Sequence, residues 1–328
     1  MRFPALTLPT AVLAFLAAAA PTVHSAPPAA SAAGVPAAAD SQWVPGDVLY
    51  QVSTGSTAPG NLRALTARLD TLNDGNPHSF GDLGVDALYL VRGPGDGTAE
   101  DLAALLAAAQ KRQIKVILAG TVANALPKSA DAALAAAVVD GAKSGQAGGI
   151  AAQLTELAHR SPKGAGETPY LTRHAYLLDG LGREKSAAAV LLTLPGAPFL
   201  YAGDELGGGE KATWAAETSD PDSLLSAYRF LIRARHNSEA LRKGNLTVLT
   251  RAGETTPILA FLRETEGEKV LVLHNLGDTP IEAGPYKVPG APDPFFLSPG
   301  VPPPSGTAGA FKVKLPAHGS GIWKMRVR

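Results

Sequence analysis

The sequence predicts an α/β fold: parallel strands with helices packed outside them, followed by a small C-terminal antiparallel β-sandwich. Three observations predict it. Strand-length and helix-length apolar patterns alternate from about residue 47 to the mid-230s. After about residue 240 the period switches to strand-length runs with no helix between them. A chain of 328 residues, 45% of them hydrophobic, is also long enough to bury one large core and a smaller one.

The first residues have the form of an export signal. Arg2 supplies the positive start, Ala11 to Ala20 the apolar core, and Val23-His24-Ser25 the small residues that precede cleavage before Ala26. That apolar run is about half of the ~20 residues needed to span a bilayer. The expectation is therefore an exported protein, periplasmic or extracellular, without a membrane span after cleavage. Residues 26–42 are Ala- and Pro-rich and lack the large apolar side chains that offset ordering entropy, so they read as a flexible leader. Order is expected to begin at Trp43, with a βα domain over 43–238 and a β-sandwich over 239–328. There is no cysteine, so neither a disulfide nor a thiol-linked lipid can contribute.

Asp47 to Val52 forms the first predicted strand, and Leu62, Leu65, Leu69 and Leu72 then recur at helical spacing. Val85 to Val91 forms the second strand. Thr98 and Asp101 make a capping box for the next helix, whose buried face carries Leu102, Leu105, Leu106 and Ala109. Ile114 to Leu118 is β-branched and too short for a helix. This βαβα order predicts parallel strands covered by helices. Residues 129–160 are Ala-rich and helical, interrupted at Gly145, Gly148 and Gly149. A strand at Tyr170 to Thr172, a helix around Lys185 to Thr193 and a strand at Phe199 to Ala202 follow. Asp220-Pro221 is expected to start a helix that buries Leu224, Leu225, Tyr228, Leu231 and Ile232. Five later strands are predicted at 246–249, 258–262, 270–274, 311–315 and 321–327, several alternating as half-buried strands do. The Pro- and Gly-dense segment 284–306 is expected to be a long loop.

Composition narrows the functional classes. With 29 basic and 29 acidic residues there is no electrostatic case for nucleic acid or an anionic membrane surface. No His/Cys/Asp/Glu spacing fits a zinc site, and the Gly207-Gly208-Gly209 run does not join a strand to a helix as a phosphate loop does. No metal or cofactor is expected.

Five segments, in order, resemble the α-amylase superfamily, glycoside hydrolase family thirteen. Gly84 to Leu90 resembles its second barrel strand, and Asp101 through Leu118 the helix and third strand after it. Leu191 to Leu206 is similar to the helix, turn and eighth strand that close its barrel. Ser223 to Arg235 looks like its final helix, and Leu315 to Gly319 like the last turn of its C-terminal sandwich. The resemblance implies an incomplete (β/α) TIM-type barrel followed by that sandwich, and an α-glucan as ligand. Open barrel edges would leave residues 125–168, a protein partner or a second copy to cover them.

Retaining glycosidases need two carboxyl groups about 5–5.5 Å apart, one nucleophile and one general acid. In a βα barrel such groups stand at the C-terminal ends of different strands. The family's Arg-x-Asp and acid-bearing strands have no counterpart in the Ala-rich stretch 125–168. Tyr170 through His174 resembles the seventh strand, with His174 matching a substrate-contacting histidine, but Ala175 stands where the resemblance implies Asp. Ala119 does the same after the third strand.

The remaining candidates are few. Asp204 and Glu205 end the eighth-strand match, where neighbours on a strand point to opposite faces and do not converge on one sugar. Trp214 can stack on a sugar or pack under its loop, and Trp323 is expected in the sandwich core. The reading is a superfamily member related to α-glucan metabolism without the family's catalytic carboxylates. Its rivals are an active hydrolase with carboxylates relocated among Asp140, Glu156, Glu167 and Asp179, and a deletion product without selected function.

Overall fold

In the computed structural model, residues 46–55, 61–119, 132–160, 170–172, 183–207, 214–253, 255–305 and 310–326 are described. The first part is a parallel sheet. Strands β1 (Leu49–Thr54), β2 (Ala87–Arg92), β3 (Lys115–Leu118), β4 (Tyr170–Thr172) and β5 (Ala197–Tyr201) lie in the order β3-β2-β1-β5-β4. The pairing of β1 with β5, Leu49 opposite Phe199, joins the first strand to the last as a closing barrel does. Among the described residues β3 and β4 remain unpaired on their outer sides, so the barrel is incomplete.

Alternation along these strands sorts two cores. Leu49, Ala87, Ile117, Ala197 and Phe199 form the inner cluster, with Tyr89 and Tyr201 edge-on to the Phe199 ring at 5.6 and 5.5 Å. The opposite face, including Tyr50, Val52, Leu88 and Leu90, packs under the helices. Those helices are α1 (Leu62–Ala67), α2 (Leu69–Leu72), α3 (Ala99–Lys111), α4 (Ala132–Ser144), α5 (Gly148–Arg160), α6 (Glu184–Thr193), α7 (Trp214–Ser219), α8 (Leu224–His236) and α9 (Glu239–Lys243).

Several boundaries follow from local chemistry. Thr98 Oγ1 accepts from Asp101 N–H at 3.2 Å while Asp101 accepts from Thr98 N–H at 2.9 Å, so the capping box forms. The Leu62–Leu72 pattern is two short helices broken at Arg68, not one. Helices α4 and α5 are separated by Gly145, whose φ of +69° suits the turn. The helix expected from Asp220-Pro221 starts instead at Leu224, because Ser223 caps it by accepting from Ser226 N–H at 3.1 Å.

The second part holds β6 (Asn245–Val248), β7 (Ile258–Glu264), β8 (Lys269–Asn275), β9 (Ile281–Tyr286), β10 (Ala291–Leu297), β11 (Phe311–Leu315) and β12 (Ser320–Arg326). A five-stranded sheet runs β10-β12-β8-β7-β6, and β11 pairs with β9 in a separate two-stranded sheet. The expected loop at 284–306 is thus corrected, since it contributes the end of β9 and all of β10. β10 is an edge strand with a register shift between Pro294 and Phe296, which is where a strand lacking proline N–H groups is tolerated. β7 and β8 are also not half-buried: six of seven residues in each are buried. One face meets the sandwich core around Trp323, and the other packs against the helices of the first part.

α4 packs chiefly on α5 and α6, and α5 on β6 and β7.

Within the otherwise apolar seam between the two parts lies a buried polar cluster. Arg235 of α8, with no exposed surface, donates from Nη1 to the carbonyls of Leu192 (2.9 Å) and Leu194 (3.1 Å) and from Nη2 to Gly196. Arg263 of β7 donates to Thr193 O at 3.0 Å and Gly244 O at 3.0 Å. Both therefore serve the carbonyls that α6 leaves unpaired at its C-terminus. Thr193 Oγ1 donates back to Ala189 O at 2.7 Å, so its oxygen accepts from His274 Nε2 at 3.0 Å, and Ser320 Oγ donates to His274 Nδ1 at 2.8 Å.

Candidate functional site

Barrel chemistry belongs at the C-terminal strand ends, so the site is built there. β1 ends in Ser53 and Thr54. The Thr54 hydroxyl donates to Asp96 Oδ2 at 3.2 Å. Arg92, the last residue of β2, grips the same carboxylate through Nε at 2.7 Å and Nη2 at 3.0 Å. The Arg92 hydrogen bond holds the Asp96 carboxyl below its ordinary value, outweighing the effect of burial. Asp96 is thus an ionised, occupied carboxylate, unsuited to donating a proton. Just past β3 comes Ala119, whose N–H donates to Leu90 O at 2.9 Å and whose side chain brings no chemistry.

After β5 the chain turns through Gly203, at φ +101°, into a 3-10 turn over Asp204–Leu206. Asp204 and Glu205 are therefore not strand residues, which corrects the reading that the pair ends a strand on opposite faces. The left-handed glycine bends both carboxylates back onto the chain. Asp204 Oδ2 accepts from Tyr201 N–H at 2.9 Å, Glu205 Oε2 from Gly203 N–H at 3.0 Å, and Glu205 Oε1 from the Tyr50 hydroxyl of β1 at 2.8 Å. Only 1% of Glu205 is exposed. Burial pushes its carboxyl up to about 6, and the hydrogen bonds to its oxygens limit the rise. Burial, then the Glu205 charge, also raises the Tyr50 phenol. Tyr228 of α8 is buried within reach of both carboxylate charges, and its hydroxyl has no hydrogen-bond partner among the described residues.

A raised carboxyl in a barrel is one signature of a general acid. Here both its oxygens face inward, one onto β1 and one onto its own turn. The geometry makes Glu205 a clamp between the first and last strands.

Trp214 begins α7, half-buried, with the Arg229 guanidinium carbon 5.5 Å from its ring centroid. Trp323 is fully buried in the sandwich. Asp140 and Glu156 lie on exposed positions of α4 and α5, not at strand ends. His174, Ala175, Glu167, Asp179 and Trp43 lie outside the described residues, as do the export signal and leader. No group of three or more His, Cys, Asp or Glu suited to a metal occurs among the described residues. Sequence reasoning missed Tyr50, Tyr228 and the Arg92–Asp96 pair. The last had a local signal, an acid four residues after a strand-ending arginine in a glycine-rich loop.

The strand order and the C-terminal sheets define an incomplete (β/α)-barrel followed by a β-rich part. No family model matches the sequence. It is 36% identical to the α-amylase MalA of Haloarcula japonica over 116 residues, covering 33% of this chain and 17% of that protein. It is 32% identical to the α-amylase SusG of Bacteroides thetaiotaomicron over 137 residues, covering 30% of this chain and 20% of that protein. A trehalose synthase of Thermus thermophilus is 28% identical over 196 residues, with 44% and 20% covered. The chain thus spans about a fifth of the length of these curated relatives. Among solved structures, the α-amylase from H. orenii superposes with a TM-score of 0.68 at 19% identity, covering 85% of this chain and 99% of that one. The trehalulose synthase MutB from Pseudomonas mesoacidophila does so at 0.62 and 14% identity, with 86% and 99% covered. Stretches of the sequence are thus similar to α-amylases, and the fold is that of the α-amylase barrel with its C-terminal β-sheets.

Proposed function

We propose that this protein is an exported superfamily member that binds α-glucan and does not hydrolyse it. One observation carries the reading: each carboxylate described at the strand ends is already engaged. Asp96 is neutralised by Arg92, and Glu205 faces Tyr50 and Gly203. Retaining hydrolysis needs two carboxyls facing one sugar from about 5–5.5 Å apart, with one protonated and one free to attack. Ala119 and Ala175 add two positions where the resemblance implies Asp. The glucan rests on the α-amylase relatives, and export on the pattern of residues 1–25.

Two assays on the purified chain test this. Retarded migration in a starch-containing gel, with no release of chromophore from a chromogenic maltooligosaccharide, is expected. Unretarded migration removes the binding half, and chromophore release removes the non-catalytic half. A second reading, a hydrolase using Glu205 as its acid, is favoured by one observation only, the carboxyl raised to about 6. Collection of the protein in the culture medium or periplasm of an expressing bacterium, with its N-terminus at Ala26, tests export.

A further inference from the structure

A small cavity opens between the C-terminal end of β1 and α1. Its volume is about 80 Å³, and it is open to solvent on one side. Val52 and Leu65 form its apolar wall, and Ser53, Thr54, Asn61 and Arg68 supply its polar atoms. The balance of donors and acceptors there is one-sided. Asn61 Oδ1 is occupied, accepting from Ala64 N–H at 3.0 Å as the helix cap, which leaves its Nδ2 group unengaged among the described residues. The Thr54 hydroxyl donates to Asp96, and Arg92 neutralises that carboxylate at close range. Among the described residues the Ser53 hydroxyl makes no hydrogen bond, and the half-buried Arg68 guanidinium makes neither a hydrogen bond nor an ion pair.

Other arginines that are wholly or partly buried are paired. Arg112 meets Asp70 at 2.6 Å, Arg183 meets Asp278 at 2.6 Å, and Arg229 reaches the Gly81 carbonyl at 2.6 Å. Arg68 differs from these three in lining a cavity with no hydrogen-bond or ion-pair partner among the described residues, its charge acting on the buried, neutral Tyr50 phenol. A guanidinium with five donors, beside an unengaged amide and hydroxyl, is complementary to an acceptor-only ligand.

We infer that this cavity is a binding site for a small oxyanion, a carboxylate or a phosphate group, held by Arg68 with Ser53 and Asn61. Arg68 would form the charge-assisted, two-pronged contact that distinguishes guanidinium from ammonium. The neighbouring Asp96 does not exclude an anion because its charge is matched by Arg92. The site is independent of glycosidic chemistry and of glucan binding.

Titration calorimetry on the full chain tests this, with inorganic phosphate, acetate, glucuronate and glucose as separate ligands at constant ionic strength. Saturable binding of at least one of the three anions, and none of glucose, is expected. Glucuronate binding without phosphate binding would identify an acidic sugar as the source, and the reverse a free or esterified phosphate. Arg68→Gln should weaken the bound anion at least about tenfold, and Arg68→Lys less, because the two-pronged contact is lost while the charge stays. The exposed Ser53→Ala is a milder second variant that leaves the fold in place and should weaken binding several-fold. No anion binding, equal binding of glucose, or binding unchanged in Arg68→Gln and Ser53→Ala would each overturn the inference.

Discussion

The seam between barrel and sandwich and the mouth of the barrel each hold a buried polar cluster, yet the two are built on opposite terms. At the seam, Arg235 and Arg263 carry charge and are satisfied by main-chain carbonyls. At the mouth, carboxylates are satisfied by local donors: Asp96 by Arg92, Glu205 by Tyr50 and Gly203. Burial pushes both seam guanidinia down to about 9, still protonated at neutral pH, and the Glu205 carboxyl up to about 6. The seam is charge committed to holding two parts together. Mouth groups that would be expected to meet a substrate are instead committed to holding the mouth in shape. Among the described residues, charge at both places serves the frame of the fold.

Breaking the seam should have the largest effect. Arg235→Met orphans the carbonyls of Leu192, Leu194 and Gly196 in a dry interior and should cost on the order of 3–5 kcal/mol. Chemical denaturation should show it, or the variant should fail to accumulate in soluble form. Arg263→Met, with fewer carbonyls to orphan, should cost less by the same measurement.

Acid should separate the two regions by sign. His274 is fully buried, and desolvation lowers its imidazole to about 3 against an ordinary value near 6.5. The unfolded chain therefore binds a proton below 6.5 that the fold refuses, and stability falls as pH falls through that window. Linkage puts the loss at about 2 kcal/mol by pH 5. His274→Gln should flatten the decline of denaturation midpoint between pH 6.5 and 5.

Glu205 works in the other direction. Its folded value of about 6 lies above the ordinary 4.5, so the fold binds the proton more readily and gains stability as pH falls from 6 to 4.5. The gain approaches about 2 kcal/mol by linkage and partly masks the His274 loss. Glu205→Gln should therefore steepen acid destabilisation between pH 6 and 4.5. An unchanged profile would mean that the carboxyl is not buried as described.

The smallest effect belongs to the mouth's outer rim. Thr54→Val removes one hydroxyl from an Asp96 that keeps both Arg92 contacts, so a cost of about 1 kcal/mol or less is expected on denaturation. A cost equal to that of Arg235→Met would erase the distinction between the regions.

The fold was legible in the sequence where causes are local. Thr98 and Asp101 declare their helix start three residues apart, and the βαβα order declares parallel strands. Composition misled where tertiary position overrides it. Pro292 and Pro294 read as loop, yet they fit a strand because β10 lies at a sheet edge. Arg235 carries no local signal of burial, since nothing nearby in sequence reveals that the unpaired end of α6 lies beside it. The Asp204-Glu205 pair reads as a strand end until Gly203 is given its left-handed conformation, which turns the carboxylates inward. Of the candidate site, the Asp204–Glu205 turn and the ends of β1 to β3 fall within the described residues, and His174 and Ala175 do not.

The proposed function requires a barrel mouth without a working pair of carboxylates. The most direct measurement is sensitive detection of products from a maltooligosaccharide, by mass spectrometry, across pH 4 to 7 with the wild-type chain and Glu205→Gln side by side. The account predicts product no faster than in buffer for both. Turnover by the wild type that disappears in Glu205→Gln would contradict it.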